Sequence, residues 1–402
     1  MSTSTVSSDV RAFTAEATEW LSSVAAPRTS TTWGEGSDSV AVFENWTPEE
    51  ERRHTDVVRD YERRKFDAGW GPLDWPAEYG GRDLPLSHVL AFRRAEDRFD
   101  VPRRTEMFSV TQQLVAPTIE KWGTPEQRAT YVRAMLRTDL MACQLFSETE
   151  AGSDLAAVRT RAVRDGDGWV LNGHKVWTSG ATVSDIGVAV CRTDSSVPKH
   201  KGLTVFLVPM DAEGVSVRPI RQMTGGSSFN EVYLENVRLT DAHRLGPEGQ
   251  GWQVALTVLA AERLDGGNLG LANADRAVEL ARNLGRPLTE IELDQVADLV
   301  VHSHVQRVTA MRVAGVVVSG RDPGPEASVG KLLATTTMSR TSAAVRRMLG
   351  SDLVSDTGEW GTFAWTEHVL GAPGYRIAGG TDEIQHNIIA ERVLGLPREP
   401  RP

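Results

Sequence analysis

The hydrophobic period of this chain changes twice, and that limits the fold more than any single motif. Up to about residue 138, apolar residues recur at helical spacing: Val57, Val58, Tyr61 and Phe66, then Tyr131, Val132, Met135 and Leu136. Thr47-Pro48-Glu49-Glu50 and Thr124-Pro125-Glu126-Gln127 precede these runs as capping boxes, with proline at the first helical position. From about residue 139 to 246 the pattern shortens. Runs at 169–171, 175–177, 186–191, 203–208, 215–220 and 231–239 are β-branched or aromatic, and Gly, Asp, Asn or Pro separates them. Regularly spaced strands of this kind predict a β-sandwich or barrel. The lack of strand–helix–strand alternation argues against a Rossmann fold. From residue 247 the helical period returns, through 293–317, 328–349 and 381–394, with a loop at 320–325. The expected fold is α+β and multidomain. It has an N-terminal helical domain (1–138), a central β-barrel or sandwich domain (139–246) and a C-terminal four-helix-bundle domain (247–402).

The length of 402 residues suits two or three domains at about 150 residues each. A net charge of -10 without a basic stripe argues against nucleic acid as a partner. Cys143 and Cys191 have no metal-ligand spacing and form no disulfide framework, so no metal is expected. No positive flank leads into an apolar run at the N-terminus, and no stretch approaches a membrane span. The expectation is a cytoplasmic protein.

Four segments carry chemistry. Leu145-Phe146-Ser147-Glu148-Thr149-Glu150-Ala151-Gly152-Ser153-Asp154 is rich in N–H and O–H donors, suited to a polar heterocycle or phosphate, or to a plain interdomain loop. Asn172-Gly173 reads as a turn signal ahead of Trp177, which either stacks on an aromatic cofactor or fills a core. Glu262, Arg263 and Asp265 are the only charged residues between Trp252 and Asp275. A carboxylate in so apolar a helix is costly unless paired or functional, so Glu262 is a candidate base or half of an ion pair. Gly379-Gly380-Thr381 precedes a capped helix with Asp382 and Glu383 in its first turn and Ile384, Ile388, Ile389 and Val393 as its buried face. Either this loop is only a cap, or a ligand approaches the N–H groups that glycine leaves uncovered.

In order and spacing, the chain resembles the acyl-CoA dehydrogenase family over nearly its whole length. The resemblance rests on Trp75-Pro76-Ala77-Glu78-Tyr79-Gly80-Gly81, the Ser147-to-Asp154 run and Asn172-Gly173-x-Lys175-x-Trp177. It continues through Phe229-Asn230-Glu231-Val232, Glu235-Asn236-Val237-Arg238 and Gly246-x-x-Gly249-x-Gly251-Trp252. It closes on Gly380-Thr381-x-Glu383-Ile384-Gln385 and Ile389-Ala390-Glu391-Arg392.

The resemblance implies FAD, an acyl-CoA substrate, electron-transferring flavoprotein as acceptor, and a homo-oligomer or a heteromer with a homologous subunit. It implies α,β-dehydrogenation to a 2-enoyl-CoA, with the α-proton going to a carboxylate and the β-hydride to flavin N5. By position, Gln144, Phe146 and Ser147 line the flavin, and Trp177 and Ser179 flank its ring. Thr381 and Glu383 reach the diphosphate or adenosine side. Ser153 and Arg263 hold the acyl-CoA.

Many members carry the base immediately before Gly-Thr, which is Gly379 here. Members of the isovaleryl and long-chain type carry it just before the arginine matched by Arg263, which makes Glu262 the candidate. Arg282-Asn283-Leu284-Gly285 and Arg347-Met348-Leu349-Gly350-Ser351 depart from family segments that reach FAD across a subunit interface. The alternatives are a base-less or half-site partner subunit of a heteromeric dehydrogenase, or a relative that oxidises a carrier-protein-bound or non-thioester substrate.

Overall fold

The computed structural model describes residues 8–29, 40–264, 272–319, 321, 324–355 and 363–398; the side chains of residues 8, 263, 264, 318, 363 and 364 also lie outside the description. The chain divides into two compact units. The first comprises Met1–Ser30, Trp46–Ile220 and Phe229–Leu259; the second comprises Thr31–Asn45, Arg221–Ser228 and Ala260–Pro402.

The first unit begins with helices α1 (Ser8–Val24), α2 (Pro48–Asp67) and α3 (Leu86–Glu96). Shorter helices follow: α4 (Glu106–Ser109), α5 (Ala116–Trp122), α6 (Pro125–Gln127) and α7 (Arg133–Leu136). Wider turns at Val110–Val115 and Arg128–Val132 join them. Both sequence-predicted capping boxes form. Thr47 accepts from the Glu50 N–H and Thr124 from the Gln127 N–H, and each N3 side chain returns the bond. Val58, Tyr61 and Phe66 are buried, whereas Val57 faces outward.

Among the described residues, eight strands form one sheet: β1 (Ala142–Leu145), β2 (Arg161–Asp165), β3 (Gly168–Ser179), β4 (Ile186–Arg192), β5 (Leu203–Pro209), β6 (Val215–Ile220), β7 (Phe229–Thr240) and β8 (Arg244–Leu245). The order is β6-β7-β3-β2-β4-β5-β8, with β1 parallel to β4. Trp169 on β3 and Phe206 on β5 meet edge to face at 5.1 Å, although β2 and β4 lie between their strands. Across a flat sheet that span is about 14 Å. The sheet is therefore rolled around one apolar core, which includes Leu145, Leu171, Val208 and Val232.

Asn172-Gly173 is not a turn. β3 runs through it, and the pairing with β7 slips between Leu171 and Gly173. A Cβ on Gly173 would lie 2.2 Å from Thr160 Oγ1. The glycine serves a close approach inside the sheet, which the dipeptide alone does not distinguish from a hairpin.

Helix α8 (Gly251–Leu264) follows, and its last turn counts with the second unit. That unit holds α9 (Ala274–Arg282), α10 (Glu290–Val318), α11 (Ala327–Leu349), α12 (Phe363–Tyr375) and α13 (Asp382–Ile388). Its core joins Leu280, Leu299, Val345, Met348 and Trp365. Burying each such side chain contributes roughly 1.5–3 kcal/mol. Of the predicted 320–325 loop, residues 320, 322 and 323 lie outside the described residues.

The C-terminal helix differs from expectation. Ile384, Ile388 and Ile389 are only half-buried, Val393 is exposed, and the buried residues are Asp382 and Gln385. Hydrogen bonds rather than apolar contacts draw those two inward. No helix among the described residues is long and apolar enough to cross a membrane.

Candidate active site

In the first unit, the segment after β1 is tied to β3. The Val176 N–H donates to the Ser147 carbonyl at 3.0 Å. Lys175 is fully buried, and its Nζ donates to Glu148 Oε1 (2.8 Å), the Phe146 carbonyl (3.0 Å) and the Val190 carbonyl (2.7 Å). Glu148 also accepts from the Arg159 and Thr160 N–H groups. Burial lowers the Lys175 pKa, and Glu148 offsets only part of that. Burial works against the Glu148 charge, but Lys175 and the hydrogen bonds outweigh it and hold the carboxyl below its usual range.

One residue beyond Lys175 the strand breaks register again, between Lys175 and Thr178. Trp177 takes φ +62°, unusual for so bulky a residue, and its indole is 60% exposed. It meets Phe229 edge to face at 6.1 Å. Trp177 is thus not core: the bulge turns it outward. Gln144 on β1 and Thr178 carry buried polar atoms, Nε2 and Oγ1, with no partner among the described residues. Such an orphan costs roughly 1–3 kcal/mol unless a ligand satisfies it. Phe146 is buried, Ser147 and Ser179 are half-buried, and Ser153 is exposed. An exposed indole beside the unsatisfied Thr178 hydroxyl, with the Gln144 amide unsatisfied on β1, fits an aromatic ring bearing polar edges.

In the second unit, Glu262 lies half-buried on the last turn of α8. A Cβ on Gly379 would stand 3.1 Å from Glu262 Oε1. The structure therefore brings together the two positions that the sequence offers for a base. Gly379 and Gly380 have φ of +62° and +89°, open only to glycine without strain. Gln385 is buried, and its Nε2 donates to the Gly379 and Gly380 carbonyls at 3.0 and 3.2 Å. With those carbonyls turned inward, the Gly380 and Thr381 N–H groups point the other way. The N–H groups of Gly379, Gly380 and Thr381 have no acceptor among the described residues.

Asp382 closes the loop. Its N–H donates to the Arg376 carbonyl, and its buried carboxylate accepts from Lys331 (2.8 Å), Arg376 (2.8 Å) and Thr335 (2.9 Å). Burial opposes this charge, but the three donors outweigh it and keep the pKa low. Thr381 caps α13 by accepting from the Ile384 N–H. Glu383 is exposed, and its own N–H and the Thr381 hydroxyl lower its pKa. Arg282 ends α9 exposed, and no described residue pairs with its side chain. The Arg263 side chain and Asp265, Gly266 and Gly267 lie outside the described residues.

Sequence reasoning missed the Lys175–Glu148 pair, the Asp382 clamp and the Gln385 contacts. All four residues stood in the quoted motifs, but nothing in the spacing named Lys331, Arg376 or the carbonyls as their partners. Among the described residues, no cluster of His, Cys, Asp or Glu could hold a metal ion.

Three consecutive parts of the chain match the acyl-CoA dehydrogenase N-terminal domain (residues 40–139), middle domain (143–237) and C-terminal domain (249–394). The acyl-CoA dehydrogenase IpdE1 of Mycobacterium tuberculosis is 35% identical over 402 aligned residues, covering 97% of this chain and 99% of IpdE1. The acyl-CoA dehydrogenase FadE34 of the same organism is 39% identical over 83% of this chain, which spans only 45% of FadE34. The solved steroid acyl-CoA dehydrogenase Tcur3481-Tcur3483 superposes with a TM-score of 0.77 at 26% identity, over 98% of this chain and 99% of that one. The chain belongs to the acyl-CoA dehydrogenase family of oxidoreductases.

Proposed function

We propose that this chain dehydrogenates an acyl-CoA thioester between Cα and Cβ, with Glu262 taking the α-proton. The observation that carries this reading is the placement of Glu262 Oε1 3.1 Å from where a side chain on Gly379 would begin. One carboxylate on α8 thereby serves the position that other members fill from the loop. The Gly379 N–H, unengaged among the described residues, donates to the thioester carbonyl and makes the α-proton more acidic. One preorganised donor of this kind is worth roughly 3 kcal/mol. Asp382 and Gln385 hold the loop that presents it.

FAD, when bound, supplies the hydride acceptor. The orphaned Gln144 Nε2 and the outward Trp177 support a flavin ring bordered by Gln144, Phe146, Ser147, Trp177 and Ser179. Thr381 and Glu383 serve the diphosphate or adenosine side, with the Glu383 carboxylate suited to a ribose hydroxyl. Arg282 offers the cofactor's phosphates a guanidinium that no described residue engages. Ser153 and Arg263 hold the CoA ester. The reading includes three domains parting at 138/139 and 246/247, a cytoplasmic setting, and electron-transferring flavoprotein as acceptor.

Anaerobic addition of an acyl-CoA panel to the FAD-loaded protein tests the reading. The panel runs from short straight chains to steroid-derived thioesters, given the relative named as a steroid acyl-CoA dehydrogenase. Flavin bleaching is expected with at least one member. Glu262→Gln is expected to abolish it while FAD stays bound; unchanged bleaching in that variant overturns the base assignment.

The second reading, a half-site partner subunit, draws support from that same relative, which is named for two chains, and from the departures at 282–285 and 347–351. It predicts that FAD is retained only on co-expression with a homologous chain.

A further inference from the structure

We propose that residues 40–45 are a strap that positions the Gly379 loop for proton abstraction, with Phe43 as the positioning residue. This rests on the reading in which Glu262 takes the α-proton beside that loop. The strap comes from the N-terminal part of the chain but counts with the second unit. It lies along α12, the helix that leads into the loop. Three residues of α12 meet it at positions i, i+4 and i+7, which share one helical face. Asn45 Nδ2 donates to Glu367 Oε1 at 2.5 Å. A Cβ on Gly371 would stand 3.0 Å from Val42 Cβ, and one on Gly374 2.9 Å from Phe43 Cε2. The Phe43 ring also stacks on Tyr375, with centroids 5.2 Å apart and 9° between the planes. Both ends of the strap are tied. The Val40 carbonyl accepts from Asn273 Nδ2 at 3.0 Å, and Asn45 Oδ1 accepts from the Gly226 N–H at 3.1 Å.

The composition of α12 says why a strap is needed. Gly371, Pro373 and Gly374 fall in its last two turns. Glycine loses more freedom in a helix than any other residue, and Pro373 offers no N–H to the turn before it. That end of α12 holds its helical form poorly by itself. The two glycines leave room for Val42 and Phe43, and those side chains cover the weak turns. What the strap fixes passes directly to the loop. Gly374, against the Phe43 ring, accepts through its carbonyl from the Ile377 and Ala378 N–H groups, both at 3.1 Å. Ala378 is joined to Gly379, the residue that faces Glu262. Phe43 therefore acts through Gly374 and not on the reacting atoms. Asp382 and Gln385 secure the loop from one end, and the strap secures it from the other.

Two measurements on the FAD-loaded protein test this. The first is amide hydrogen exchange, read by mass spectrometry on fragments covering 374–382. Phe43→Ala should speed exchange of the Ile377 and Ala378 N–H groups by roughly tenfold or more, because local opening becomes easier. The second is stopped-flow bleaching with the acyl-CoA that bleaches the wild type fastest. In Phe43→Ala the first-order rate constant should fall by roughly tenfold to a hundredfold, the scale of a misplacement of up to 1 Å. KM should stay near the wild-type value, so that kcat and kcat/KM fall together. Loss of folded protein alone would lower the amplitude of bleaching and leave its rate constant unchanged. Gly374→Ala should also slow bleaching, although alanine is the better helix former, because its methyl meets the Phe43 ring. In the Phe43→Ala background that methyl has room, so the double variant should be no slower than the slower single variant. Unchanged exchange at Ile377 and Ala378, an unchanged rate constant in Phe43→Ala, or additive losses in the double variant overturns the proposal. A wild type that bleaches with no thioester refutes the Glu262 reading instead, and the exchange measurement alone then decides whether the strap holds the loop.

Discussion

Glu262 on α8 and Gly379 on the loop before α13 share one point in space: a methyl group on residue 379 would sit 3.1 Å from Glu262 Oε1. A base moved from one position to the other should therefore reach much the same proton. Glu262→Gly is expected to slow flavin bleaching by roughly 10²–10⁴-fold, the span of general base catalysis. Adding Gly379→Glu should recover at least part of that loss. The recovery is incomplete because a non-glycine residue at φ +62° costs roughly 1–2 kcal/mol. Stopped-flow absorbance of the double variant measures it. A double variant that binds FAD but is as slow as Glu262→Gly shows that the two positions do not serve the same proton.

Asp382 should hold the Gly379 loop in place. Asp382→Asn keeps the shape but removes the charge that Lys331 and Arg376 share. Arg376 is half exposed, which discounts the loss to roughly 2 kcal/mol by urea unfolding. Burial raises this carboxyl's pKa, but the three donors outweigh it, so the folded value lies below the unfolded one of about 4. Its contribution is complete above that pH and is lost as pH falls through the folded value. The wild-type and Asp382→Asn stabilities should thus converge below pH 4. A constant gap at every pH counts against the charge as the cause.

What could be read in advance follows from how far each interaction reaches. Both capping boxes lie within four consecutive residues, and both form as written. The change of period along the chain is equally local, and it fixed the helix–strand–helix order. Asn172-Gly173 misled because the same dipeptide suits a hairpin and a close approach, and the deciding neighbour is Thr160 on another part of the chain. The apolar face expected on α13 failed for a related reason. Asp382 and Gln385 are buried by Lys331, Arg376, Thr335 and two carbonyls, none of which marks the sequence around residue 382. Trp177 could be read as core or as a ring-stacking group, and only the bulge decides between them.

The Lys175–Glu148 pair should act as a positioning device for the flavin-side loop. Lys175→Met leaves Glu148 charged and nearly buried, and should cost roughly 3 kcal/mol. Glu148→Gln leaves the ammonium without its counter-charge and should cost about as much. The double variant should be less damaged than the sum of the two, because each loss is mainly that of the stranded partner. The visible-to-ultraviolet absorbance ratio after gel filtration should show less FAD retained in both single variants. Additive stability losses with full flavin content would place the pair outside the cofactor's support.

His368 should make the second unit sensitive to acid. Its ring is fully buried against Trp365, with Nδ1 3.2 Å from Asn273 Nδ2. Burial pushes its pKa down to about 4, and nearby backbone carbonyls restore only part of the fall. The unfolded imidazole titrates near 6.5. The folded state therefore binds the proton less well. Stability is complete above about pH 6.5 and is lost as pH falls through 4, by roughly 3 kcal/mol in all. Carboxylates add their own acid loss, so the informative quantity is the difference between wild type and His368→Gln. That difference should shrink from pH 7 to pH 4.5 in urea unfolding, because glutamine cannot protonate. Parallel pH profiles in the two proteins would mean that the imidazole is not held neutral by burial.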